Sequence, residues 1–119
     1  MKKCIENANL ALPYIVHSAK MKETLTYKEL AEKIHSHPRA LSYTLGYIRD
    51  EICRKRGLPM LSVIVVNKET RLLGRDFLPE GTESMSKEEY INKFIELRDE
   101  VFKYSKWDEL LKELDLSSI

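Results

Sequence analysis

The stretch Thr26–Gly74, TYKELAEKIHSHPRALSYTLGYIRDEICRKRGLPMLSVIVVNKETRLLG, decides the fold, because turn signals, helix caps and an apolar run follow one another in it without a gap. Thr26 followed three residues later by Glu29 is a capping box, in which two side chains satisfy backbone N–H groups that the first turn of a helix leaves open. It predicts a helix over Tyr27–Ile34 with Leu30, Ala31 and Ile34 facing inward. His35, Ser36 and His37 form a turn, and Pro38 suits the first position of the next helix, where its missing N–H costs nothing. This helix, 38–55, should stop at Gly57. Leu41, Leu45, Ile48 and Ile52 recur at i, i+4, i+7 and i+11 and fall within roughly 60° of one another, so they make one buried stripe. Its opposite face carries Arg39, Tyr43, Gly46, Tyr47, Asp50 and Arg54. Leu58-Pro59 reopens an extended chain, and Leu61 with Val63–Val66 is a β-branched run that predicts a buried strand. Asn67–Arg71 is then a hairpin turn, and Leu72-Leu73 a short return strand ended by Gly74.

Working outward, Pro13 marks the first turn of a helix over about residues 12–22, with a looser helical turn before it. Residues 75–85, with Pro79 and Gly81, read as a surface loop. Ser86 and Glu89 repeat the capping pattern ahead of an amphipathic helix over about 87–104. Ser105 and Asp108 cap a last helix that packs through Trp107, Leu110, Leu111 and Leu114. The pattern predicts an α+β chain: a winged helix-turn-helix with a short β-hairpin wing and two additional C-terminal helices. It is one domain over 1–119, with 24–74 as the core and 86–119 as a helical extension.

Charge is nearly balanced over the chain, 20 Lys+Arg against 19 Asp+Glu, so the total argues neither for nor against a polyanionic partner. Its distribution says more. Residues 33–75 carry nine basic and three acidic groups, whereas residues 76–119 carry six and twelve. Cys4 and Cys53 are too few and too far apart for a disulfide framework or a zinc site, and a reduced, cytoplasmic setting is the expectation. The N-terminal apolar run is short and interrupted and is not read as a signal peptide, and no run is long enough to span a membrane.

Arginines and tyrosines along one side of a helix can pair with phosphates or enter a groove, and a glycine among them lets a backbone come close. The candidate nucleic-acid contacts are Tyr27, Arg39, Tyr43, Gly46, Tyr47, Arg54, Lys55 and Arg56, with Lys68, Arg71 and Arg75 on the wing. The same face also reads as an ordinary solvated surface, since Asp50 and Glu51 on that helix repel a phosphate backbone. Arg54-Lys55-Arg56 equally reads as cations stabilising a helix C-terminus. His35 and His37 read as turn residues rather than metal ligands, and Cys53 as a packing residue without a nucleophile signature. No catalytic residue, cofactor or metal is expected.

Thr24–Ala31, Pro38-Arg39-Ala40 and Leu58-Pro59-Met60-Leu61 together resemble the DNA-binding domain of alkylguanine-DNA alkyltransferases and alkyltransferase-like proteins, over about 50 of the 119 residues. The resemblance implies minor-groove binding through the second helix of the motif. It also implies that Arg39 is similar to the arginine that fills the gap left by a flipped base. The chemistry departs from the family. Where its Pro-Cys-His-Arg motif should follow Leu61, this chain has Ser62-Val63-Ile64-Val65-Val66, with an isoleucine at the nucleophile and a valine at the histidine. The expectation is therefore a non-enzymatic, alkyltransferase-like protein that contacts duplex DNA through helix 38–55 and the wing. One alternative is a protein-interaction or inhibitor module that uses the same basic face or the acidic C-terminal helices. A second is a nuclease-associated subunit whose metal would sit among Asp76, Glu80 and Glu83.

Overall fold

Ala8, Ala11, Leu12, Ile15, Val16 and Ala19 recur at helical spacing and are almost completely buried. They form the inner face of the longest described helix, α1 (Lys2–Lys20), in the computed structural model, which describes residues 2–66 and 86–117. Pro13 therefore lies inside a helix and not at its first turn. An internal proline forfeits one backbone hydrogen bond, and the unbroken apolar stripe on either side offsets that loss. The helix stops at a left-handed residue, Lys22, with φ 57°. Around it Lys22 N donates to Ala19 O at 3.1 Å and Glu23 N to Ser18 O at 2.9 Å, closing the last turn.

Strand β1 is Leu25–Thr26, and α2 (Tyr27–Lys33) follows at once with its capping box complete. Thr26 Oγ1 accepts from Glu29 N at 3.1 Å, while Thr26 N donates to Glu29 Oε1 at 3.2 Å. The end of α2 is built like that of α1. His35 takes φ 54°, His35 N donates to Glu32 O, and Ser36 N donates to Ala31 O. His35 is thus the residue that turns the chain between α2 and α3 (Pro38–Tyr47).

The expected single helix over 38–55 changes character partway. Its α-helical part ends at Tyr47, and Ile48–Arg54 continue as a π-helix. In a π-helix the hydrogen bond runs between residues five apart, which brings Cys53 under Ile48. Cys53 is accordingly buried beside Ile48 and Ile52, as a packing residue should be. Gly57 ends the segment at φ 67°, a conformation that costs glycine little.

The main correction concerns residues 61–66. Leu61–Ile64 form a 3₁₀ turn, and only Val65–Val66 are strand (β2). β2 pairs with β1, in parallel, in the register Leu25 to Val65 and Thr26 to Val66. The two described strands are therefore not a hairpin. An apolar run with no alternation reports burial on all sides, not extension, and every residue from Leu61 to Val66 is buried. The expected turn 67–71, return strand 72–73 and loop 75–85 lie outside the described residues.

Helix α4 (Lys87–Lys103) is capped by Ser86, whose hydroxyl accepts from Glu89 N at 3.2 Å. Helix α5 (Trp107–Glu113) begins at Lys106 with no side-chain cap, so Ser105 and Asp108 do not cap it. Asp108 instead pairs with Lys20 at 3.0 Å. Phe94, Leu97, Val101, Trp107, Leu110 and Leu111 join the same buried cluster as α1, α2 and α3. The chain is thus mostly helical, with a two-stranded parallel sheet beside α2.

Candidate nucleic-acid interface

Helix α3 follows α2 after the turn at His35, and its two faces differ sharply. Leu41, Thr44, Leu45 and Ile48 are fully buried. On the other side Tyr43 is 75% exposed. One turn on, a Cβ built at Gly46 would have no atom within 4 Å. A large aromatic ring thus stands next to a bare stretch of backbone. Thr44, polar but buried, is accommodated by its hydroxyl donating back to Ala40 O at 3.4 Å.

The remaining expected contacts are scattered in role. Tyr47 and Tyr27 are half-buried and pack against the core with their rings. Arg39 lies in the first turn of α3, but its side chain, like Lys68, Arg71 and Arg75, is outside the described residues. Arg54 is the most open described arginine of the set, with its side chain 65% exposed and 4.0 Å from Asp50. Lys55 is equally open but pairs with Glu51 at 2.6 Å, which raises its pKa. Arg56 is a structural residue. Its Nε donates to Glu113 Oε2 at 2.8 Å and its Nη1 to the carbonyl of Ile52 at 3.2 Å, tying the end of the π-helix to α5. Arg49, not among the expected contacts, donates to Asp50 at 2.8 Å. That hydrogen bond holds the Asp50 carboxyl below its usual range and raises the guanidinium, against the opposing effect of burial.

An open cleft of about 340 Å³ lies past the end of the π-helix, walled by Arg49, Cys53, Arg54, Leu58, Met60 and Leu97. Sequence reasoning missed it, because Leu97 comes from a helix some forty residues away. Its one nucleophilic group, Cys53, is buried, and burial pushes its thiol up despite a hydrogen bond from the Leu61 backbone and the nearby Arg56 charge. A thiol raised in this way stays protonated near neutrality and is a poor nucleophile. Among the described residues no three His, Cys, Asp or Glu side chains gather as metal ligands, and no described helix is long and apolar enough to cross a membrane. Asp76, Glu80 and Glu83 lie outside the described residues.

No protein-family model matches the chain, and no curated protein or solved structure shows significant similarity to it.

Proposed function

We propose that the protein is a non-enzymatic, duplex-DNA-binding module of winged-helix, alkyltransferase-like type, and that the outer face of α3 is its contact surface. The observation that carries this reading is Tyr43, 75% exposed beside Gly46 on α3. A duplex groove accepts a helix whose backbone can approach closely, and a tyrosine at that point can insert or stack. The excess of basic over acidic groups in residues 33–75 supplies the long-range attraction. Arg39, by its likeness to the family's base-displacing arginine, would stabilise a distorted site.

A specific observation favours a second reading, a protein partner on the same face. Arg49, Lys55 and Arg56 are each engaged by a carboxylate of this chain, so fewer cations there are open to a phosphate than the sequence count suggests. A gel-shift titration of duplex, single-stranded and alkylated DNA at two salt concentrations separates the two. DNA binding requires log affinity to fall with log salt at about −0.9 per phosphate contact. Arg54→Ala should lower that slope by about one and weaken all sequences alike. Tyr43→Ala and Arg39→Ala should instead remove any preference for distorted sites. Weak, salt-insensitive association shared by wild type and all three variants would assign the face to a protein.

A further inference from the structure

A second charged surface lies where α1 and α4 both end. Two open clefts adjoin there and share Lys22 and Phe102 as walls. The larger, about 530 Å³, also has Lys20, Lys103, Tyr104 and Trp107 on its walls. The smaller, about 430 Å³, is closed by Glu23, Thr24 and Arg98.

Among the described residues, not every cation in this groove is neutralised by a carboxylate of the chain. Lys20 is occupied by Asp108 at 3.0 Å. Arg98 reaches Asp99 with Nη2 at 3.3 Å and lies 5.9 Å from the Phe102 ring, yet its Nε is buried without a hydrogen-bond partner. Among the described residues Lys22 and Lys103 have no carboxylate partner, and Glu23 is the one unpaired acid on the walls. Lys103, in the last turn of α4, also suits the negative end of the helix dipole, but neither lysine is needed to close a helix end. The backbone itself does that, through Lys22 N to Ala19 O, Glu23 N to Ser18 O and Tyr104 N to Glu100 O. Cations spaced along a groove suit a ligand with several negative oxygens. The half-buried rings of Phe102 and Tyr104 beside them suit a flat base.

We propose that this groove binds nucleotide phosphates, with Lys22, Lys103 and Arg98 holding the oxygens and the aromatic walls taking the base. The phosphates are those of a free nucleotide or of an unpaired strand. The proposal does not depend on the α3 reading. Trp107 is the chain's single tryptophan and stands on the cleft wall, so calorimetry and Trp107 emission can be read together. The probes are a nucleoside triphosphate, inorganic tripolyphosphate and a short oligothymidylate. Saturable binding of at least one is expected, and for the oligothymidylate the log–log salt slope should become shallower by about 0.7 per contact removed. Lys22→Gly combined with Lys103→Gln should weaken binding by about tenfold or more. Glycine is favoured at the left-handed position 22, so a loss there is not a loss of folding, and an unchanged melting temperature verifies it. Arg54→Ala on α3 should leave these titrations unaltered, which keeps failure at α3 distinct from failure in the groove. Triphosphate binding without oligonucleotide binding identifies a free nucleotide, and the reverse identifies a strand. No binding of any probe, or a double variant as tight as wild type, overturns the proposal.

Discussion

Gly46 separates stability from recognition more cleanly than any other residue. It sits inside α3, where glycine is less favourable than alanine by roughly 0.5–1 kcal/mol. An added methyl would meet nothing within 4 Å. Gly46→Ala should therefore raise the stability measured by denaturant unfolding, while weakening duplex binding if the backbone there approaches a groove wall. An alanine variant that is more stable and binds equally well would remove Gly46 from the interface. Cys53 is read in the opposite direction. Its folded pKa is raised by burial, so the neutral thiol is the form the fold favours. That contribution is complete below the ordinary thiol range and is lost as pH rises through the raised folded value. Native protein should thus be alkylated at Cys53 only as fast as it unfolds, and incubation with DNA carrying alkylguanine should leave its mass unchanged. A rapid adduct on Cys53 in native buffer would contradict both statements.

At the level of elements, two of the three expected side-chain caps were legible in the sequence and the pairing of strands was not. A capping box is a contact between residues three apart, so Thr26 with Glu29 and Ser86 with Glu89 announce α2 and α4 directly. The start of α1 escaped notice because its inner face begins with small residues, Ala8 and Ala11, which carry little hydrophobic signal. Nothing local distinguishes a buried 3₁₀ turn at Leu61–Ile64 from a buried strand, and the partner of Val65–Val66 lies forty residues back at Leu25–Thr26. The outer face of α3 was legible from its spacing, whereas all three clefts depend on α4 and were not. Two substitutions test the local account. Thr26→Ala leaves the first turn of α2 without its acceptor and should cost about 1 kcal/mol. His35 holds φ 54°, which is unfavourable for any residue with a Cβ. His35→Gly should therefore stabilise by about 1 kcal/mol in the same denaturant assay, provided its imidazole only turns the chain. A destabilised His35→Gly would show that the ring makes a contact the fold requires.

The whole molecule is held by its C-terminal helices as much as by α1, α2 and α3, and the two kinds of link between them differ greatly in strength. Lys20–Asp108 and Arg56–Glu113 join α5 to α1 and to the π-helix, but at least one partner of each pair is more than half exposed. Exposed pairs contribute roughly 0–1 kcal/mol. Trp107, by contrast, is 1% exposed, packs edge-on against Tyr104 at 4.6 Å, and donates its indole N–H to the Val101 carbonyl at 3.0 Å. That one side chain fixes the corner between α4 and α5 and seats α5 in the core. Truncating a buried tryptophan costs about 3–5 kcal/mol, a large share of the roughly 5–15 kcal/mol that holds a domain folded. Trp107→Ala should therefore lower the melting temperature steeply or prevent folding, and deletion of residues 86–119 should leave a chain that aggregates. Asp108→Asn and Glu113→Gln should each shift stability by less than about 1 kcal/mol. Should the 1–85 fragment remain monomeric and melt cooperatively at the full chain's temperature, the N-terminal helices would be self-sufficient and α4 and α5 an appendage. All three clefts would then have to be reconsidered as gaps between independently folded parts.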